Sequence, residues 1–208
     1  MKIHNPKQEI LIDTRQQTGK HEIKNEWWAS HQVSTTSCKL DFGDYMTDGS
    51  NVVVDSKRNI QEVAQNINGR NHRRFRNECV RARDAGYRLV ILVENLDGVC
   101  CLADLQGWTN SHCCICGYYQ RHSCNPHDGR EKCIKHNTRK PIQGARLARA
   151  MSTMSERYGV RFEFCNPHES AKRICELLGV RYDIEQDARS GASPSRAGIQ
   201  DTPDKARD

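Results

Sequence analysis

The stretch GDYMTDGSNVVVDSK, residues 43–57, gathers Asp44, Asp48, Asp55 and Lys57 around a tight turn. Like charges facing each other across paired strands are unfavourable, so acids placed there are either solvated at a strand edge or share a cation. DGSN allows a two-residue loop, Gly49–Ser50, with glycine at the first central position as a type II′ turn requires. If Asp48 faces Asn51, then Met46 meets Val53 and Asp44 meets Asp55. Lys57, two residues past Asp55, leaves the same sheet face, while Val52 and Val54 leave the other. Facing Cβ atoms lie about 4.5–5.5 Å apart. At that spacing two carboxylates can share a hard cation such as Mg²⁺, completed by water and a phosphate. Lys57, an ammonium near neutral pH, would then orient or help deprotonate a metal-bound water, or neutralise charge growing on a phosphate.

A second group of donors sits in HCCICGYYQRHSCNPHDGREKCIKH, residues 112–136. It contains three close pairs: Cys113 with Cys116, Cys124 with His127, and Cys133 with His136. Zn²⁺ takes four N or S ligands in a tetrahedron, and pairs of this kind supply two each. Cys113, Cys116, Cys133 and His136 are the preferred set, with sixteen residues between the pairs as in a zinc ribbon. Cys124 and His127 are alternates for either pair, and His112, Cys114 and His122 are spare donors. With all four positions filled by protein the ion would be structural. Lys132, Lys135, Arg139 and Lys140 nearby would either grip a polyanion or keep a small module in solution.

The elements that must position these residues follow from apolar spacing. EILIDTR (9–15) reads as a buried strand ending at Asp13 and Arg15. HEIKNEWWASH (21–31) suits a short helix or an irregular segment, and VSTTSCKLDF (33–42) is rich in β-formers. Ile60, Val63, Ala64 and Ile67 fall on one helical face. The arginine-rich stretch that follows predicts a second helix closing at Gly86. YRLVILVEN (87–95) is too apolar for alternation and predicts a strand covered on both faces. Leu147, Met151, Met154 and Tyr158 share a helical face that stops at Gly159, with the methionines as core filling. VRFEFC is a strand, and Ala171, Ile174, Cys175 and Leu178 mark a last helix. The order is strand, hairpin, helices, strand, insertion, helix, strand, helix. That predicts an α/β fold, a mixed sheet flanked by helices.

The 208 residues are 36% hydrophobic and 28% charged, ordinary for a chain that folds. No apolar run reaches the eighteen or so residues of a membrane span, and the first residues lack the apolar region of a secretory signal. Seven of the eleven cysteines lie between Cys100 and Cys133. The odd count and the interleaved histidines favour metal thiolates over disulfides and predict a reducing, cytoplasmic setting. The net charge of +6 is uneven: residues 70–88 hold seven arginines against Glu78 and Asp84. Such a run can track a phosphate backbone or form a solvated helix face; Arg73, Arg74 and Arg76 are the candidates for DNA contacts.

In order along the chain, IDTRQQ, LDFGDYM, VVVDSK and RFRNECVRARDAGYRLVILVEN resemble the nuclease domain of the XPF-type structure-specific endonucleases. That family belongs to the PD-(D/E)xK, restriction-endonuclease-like superfamily. The resemblance spans residues 8–98 and continues through KPIQGARLARAMSTMSERYGVRFEFCNP, which looks like the end of small free-standing bacterial or phage-type members. It implies Asp44 and Asp55 as ligands of Mg²⁺ or Mn²⁺ and Lys57 as the site lysine. It also implies Asp13 closing the other side, Arg15 on a phosphate, and a possible homodimer. The chain departs from the family at three places. Gln16 stands where an acid is usual, Ser56 replaces the middle arginine of Glu-Arg-Lys, and Gln61, beside Glu62, replaces a further acid. No tandem helix-hairpin-helix module is present in these residues, so a branched-DNA preference is not implied.

The expected organisation is a nuclease core over 8–107, a Cys/His zinc-binding insertion over 108–140, a helix-strand-helix completing the core over 141–185, and a disordered tail over 186–208. The expected activity is metal-dependent hydrolysis of DNA phosphodiesters, with cutting at flaps, branches or junctions in repair or recombination as the finer expectation. The alternative is a DNA-binding protein whose nuclease fold is silent. A protein-interaction adaptor built on the zinc module is the third reading.

Overall fold

The computed structural model describes residues 8–15, 22–69 and 71–184; Gln16, Arg70 and the predicted tail lie outside them. Six strands form one mixed sheet in the order β2-β1-β3-β4-β5-β6. They are β1 (Ile10–Asp13), β2 (Thr35–Cys38), β3 (Tyr45–Thr47), β4 (Val52–Lys57), β5 (Arg88–Glu94) and β6 (Arg161–Cys165). The helices are α1 (Glu22–Ser30), α2 (Ile60–Asn68), α3 (His72–Asp84), the one-turn α4 (Ser111–Cys114) and α5 (Gly117–Gln120), α6 (Gly144–Tyr158) and α7 (Ser170–Leu178). β3 is antiparallel to β1 and β4, and all other neighbours are parallel. Each parallel step needs a crossover: α2 and α3 carry the chain from β4 to β5, and residues 95–160, ending in α6, carry it to β6. The α/β class and the mixed sheet between helices are as the apolar spacing predicts.

β5 shows why its sequence lacks alternation. Leu89, Ile91 and Val93 pack under α2, α3 and α6, while Val90 and Leu92 pack with α1 and α7. The helical faces expected from spacing are buried: Ile60, Val63, Ala64 and Ile67 on α2, Leu147, Met151 and Met154 on α6, and all four expected residues on α7. Gly159, left-handed at φ +69°, ends α6. On the second face the Trp28 indole donates to Ala171 O (3.1 Å), and a buried Lys24–Glu94 pair (2.6 Å) ties α1 to the end of β5. Among the described residues no helix is long and apolar enough to cross a membrane.

The hairpin corrects one expectation. Met46 does pair with Val53, and Tyr45 with Val54. The turn, however, is centred on Asp48 and Gly49: Ser50 N–H donates to Thr47 O (3.2 Å), and Gly49 takes φ +72° at the second central place. Glycine supplies the positive φ one residue later than a type II′ turn would use it. The Ser50 hydroxyl instead accepts from Val52 N–H (3.0 Å).

Candidate active site

β1, β3 and β4 lie side by side, and Leu11, Met46 and Val53 form one row across them. Side chains of a strand return to the same face every second residue. By backbone position the next row is therefore Asp13, Asp44 and Asp55, and Asp13 N–H donates to Asp44 O (2.9 Å). The ladder slips at Asp44. Its N–H donates to Val54 O (2.8 Å), where an unbroken register would pair Asp44 with Asp55. Gly43 makes this bend, at φ +60° and packed so closely that an added Cβ would lie 2.5 Å from Val53 Cγ1 and 2.9 Å from Val54 O. The expectation that the two aspartates stand directly opposite is thus corrected. The Asp44 carboxylate reaches along β4 and accepts from the Ser56 N–H and the Ser56 hydroxyl, each at 2.9 Å.

Asp55 and Lys57 form a buried pair on the same face. The ammonium lies 2.8 Å from Oδ1, to which it donates, and 2.7 Å from Oδ2. Oδ2, fully enclosed, has no aligned hydrogen-bond donor. Burial pushes the Asp55 carboxyl from its ordinary 3.8 up to about 7, against the pull of Lys57 and with the added repulsion of Asp44 and Glu78. For Lys57, burial acts downward, but the charge and hydrogen bond of Asp55, with the charges of Asp44 and Glu62, together hold the ammonium above its ordinary value. Asp13, also buried, accepts from Arg15 Nε (2.8 Å) and from Leu40 N–H (3.2 Å), and the Arg15 guanidinium continues to Leu40 O.

Glu78 is the residue that sequence reading missed. It acts electrostatically on Asp55 from α3, three residues after Phe75, whose ring lies 5.8 Å from the Lys57 ammonium. The i, i+3 spacing from a buried aromatic was the available signal, hidden among arginines. Gln61 and Glu62 have other tasks. Gln61 Oε1 accepts from Ser111 N–H (3.1 Å), and the Glu62 carboxylate accepts from Arg58 N–H (3.0 Å) ahead of the Asn59 cap of α2.

Of the candidate DNA contacts, Arg73 and Arg74 are exposed on the first turn of α3 and Arg76 is half-buried beside Asn77. Arg15 is largely exposed despite its bond to Asp13. Of these arginines, Arg15 bonds one of the acids directly, Asp13.

In the Cys/His segment Cys113, Cys116, Cys124 and Cys133 are half-buried, whereas His112, Cys114, His122, His127 and His136 are exposed. Burial raises the Cys113 thiol, Gln143 opposes this, and Cys124, Cys133 and Cys116 lie within electrostatic reach of it. Backbone N–H groups of Tyr118 and Tyr119 hold the Cys116 thiol below its ordinary value. Cys133 N–H donates to Thr138 O and Asn137 N–H to Cys133 O, both at 2.8 Å, with Asn137 left-handed at φ 48°. His127 Nε2 is bonded to Thr109 Oγ1 (2.8 Å). Among the described residues no three Cys, His, Asp or Glu side chains already converge as a metal site.

No family model matches the chain, and no curated protein does. Among solved structures it is similar to XPF from Aeropyrum pernix in complex with DNA, at a TM-score of 0.48 and 14% identity, covering 91% of this chain and 69% of that one.

Proposed function

We propose that this protein is a Mg²⁺- or Mn²⁺-dependent endodeoxyribonuclease. The observation that carries the reading is the meeting of Asp13 and Asp44 at neighbouring backbone positions beside the buried Asp55–Lys57 pair, close enough for Asp44 to act on Asp55. The donors are carboxylate oxygens, the ligands hard cations take, and Asp55 Oδ2 faces only the Lys57 ammonium, with no aligned hydrogen bond that a cation would have to displace. Asp44 and Asp55 would hold it, and when bound it would polarise a phosphoryl oxygen and make water a nucleophile near neutral pH. The chain's own residues do the rest. Lys57 keeps a proton in a buried site and meets charge developing on the phosphate. Asp13, fixed by Arg15 and Leu40, closes the β1 side, leaving the exposed Arg15 edge for a neighbouring phosphate. Arg73, Arg74 and Arg76 extend the cationic surface along α3.

A second reading, a DNA-binding protein with a silent site, is favoured by one fact: each acid already has a partner in Arg15, Ser56 or Lys57. One assay separates the two, using labelled linear, flap and four-way-junction DNA with Mg²⁺ or Mn²⁺, beside Asp55→Asn. The wild type should cut and the variant should lose more than about a hundredfold, beyond what a group merely supporting a metal ligand costs. Equal cutting by both, or binding without cutting on every substrate, would overturn the nuclease reading. The substrate profile also tests the flap or junction preference.

The reading includes a structural Zn²⁺ in residues 108–140. From the half-buried donors the set is Cys113, Cys116, Cys124 and Cys133, in place of one that includes His136. The chemistry suits it: softer thiolate ligands, one of them stabilised by backbone N–H groups.

A further inference from the structure

Directly beside the acid row the sheet face is open. Leu11, Met46 and Val53 floor a groove of about 230 Å³, walled by Cys38–Phe42 and by Tyr87. The helices of this face cover β4 and β5 but leave β1 and β3 to the Leu40–Phe42 segment. The walls are aromatic: the Phe42 and Tyr87 rings lie 5.5 Å apart, and the Arg81 guanidinium sits over Phe42 at 5.7 Å. Lys39 adds a second cation at the rim against one acid, Asp41.

We propose that this groove takes one unpaired nucleobase of the strand being cut, held against Phe42 beside the acid row. The inference rests on the nuclease reading and names its substrate class: DNA with a base free of its duplex next to the scissile phosphate. Three features choose a base over other occupants. A cavity of about 150 Å³ already takes a benzene ring, so a heteroaromatic ring fits the volume. Aromatic walls with an arginine overhead are the usual platform for bases, tolerant of sequence because every base has a π-face. The groove row and the acid row are two residues apart on the same strands, about 6.7 Å at ordinary strand rise, so a strand with a phosphate at the acids can lay a neighbouring base in the groove. A perfectly stacked duplex cannot supply that base without paying to unstack it, which gives the site a preference for single-stranded or frayed DNA.

The test uses wild-type protein with no added Mg²⁺ or Mn²⁺, so that no strand is cut and the zinc stays in place. Binding of a single-stranded oligonucleotide is measured first. 5-Iodouracil is then placed at each position in turn, irradiated, and cross-links are mapped by mass spectrometry. Cross-links to Phe42 or Tyr87 from a single position are expected. Replacing that nucleotide by an abasic one should weaken wild-type binding about tenfold. Phe42→Leu should lose this sensitivity and Phe42→Tyr, which restores a ring, should keep it. Measurable binding with cross-links only elsewhere, or equal abasic sensitivity in Phe42→Leu, overturns the groove and leaves the nuclease reading standing. Absence of DNA binding overturns both. Sedimentation showing that Phe42→Leu abolishes self-association, with abasic sensitivity unchanged, would assign the groove to a second copy of the chain instead.

Discussion

At the residue scale, Asp55 carries the most consequential balance. It is buried beside a lysine, and burial prevails, setting its carboxyl at about 7 against an ordinary 3.8. A carboxyl whose folded pKa lies above its unfolded one binds its proton more tightly when folded. Folding therefore loses stability as pH rises through that window and changes no further above it. In metal-free protein the expected loss between pH 4 and pH 7 from this group is at most about 4 kcal/mol. Urea midpoints at pH 5, 6, 7 and 8 should show a decline in the wild type that Asp55→Asn lacks, whatever the offset between the two curves. Mn²⁺ should raise the wild-type midpoint more at pH 8 than at pH 6, because binding stabilises through the ionised form. Parallel pH profiles for the two proteins would refute the assignment of a raised Asp55 carboxyl.

The hairpin is the element on which the site depends, and Gly43 is its hinge. Alanine there would have to hold φ near +60° and push into Val53 and the Val54 carbonyl. The left-handed conformation costs about 1–2 kcal/mol for a residue with a Cβ, and overpacking adds about 1–3 kcal/mol. Gly43→Ala is thus expected to destabilise by about 3 kcal/mol in denaturant melts. At a temperature where it remains folded, it should also lose cutting activity, because Asp44 follows the bend. Stability within 0.5 kcal/mol of wild type would refute this close packing. The same hairpin shows what sequence could and could not reveal. The pairing of Met46 with Val53 was legible because the short loop between Asp48 and Asn51 fixes which residues face each other. The slip at Asp44 was not, since nothing local announces that Gly43 will take a left-handed turn beneath β4. The faces of α2, α6 and α7 were legible from 3.6-residue spacing. Glu78 was not, because its role comes from α3 packing on β5, which brings Phe75 and Glu78 within reach of Lys57 and Asp55 on the neighbouring strand, a tertiary fact.

At the scale of the whole molecule, the Cys/His segment is tied to the core at few points. Ser111 N–H meets Gln61 on α2, four residues beyond Lys57. Gln143, buried at the head of α6, accepts from Asn110 N–H (3.1 Å) and donates to Cys113 Sγ (3.3 Å) and Pro141 O (2.8 Å). Gly144 follows so close to Leu105 that no Cβ fits, its added Cβ falling 1.6 Å from that carbonyl. Any ordering of Cys113 by a metal is therefore felt at the start of α6, whose Leu147, Met151 and Met154 belong to the core under β5. Binding energy at a thiolate site is folding energy, so stripping the ion should destabilise the whole domain in one transition. A loss of 2 kcal/mol or more corresponds to about 5 °C or more in Tm for a chain of this length. Protein purified without a histidine tag should carry about one equivalent of zinc, as a closed structural site keeps its metal. Cys124→Ser should lose the zinc and the 5 °C, while His136→Asn should keep both. Zinc below half an equivalent in the wild type would refute the site, and loss in His136→Asn with retention in Cys124→Ser would restore the ligand set expected from spacing alone.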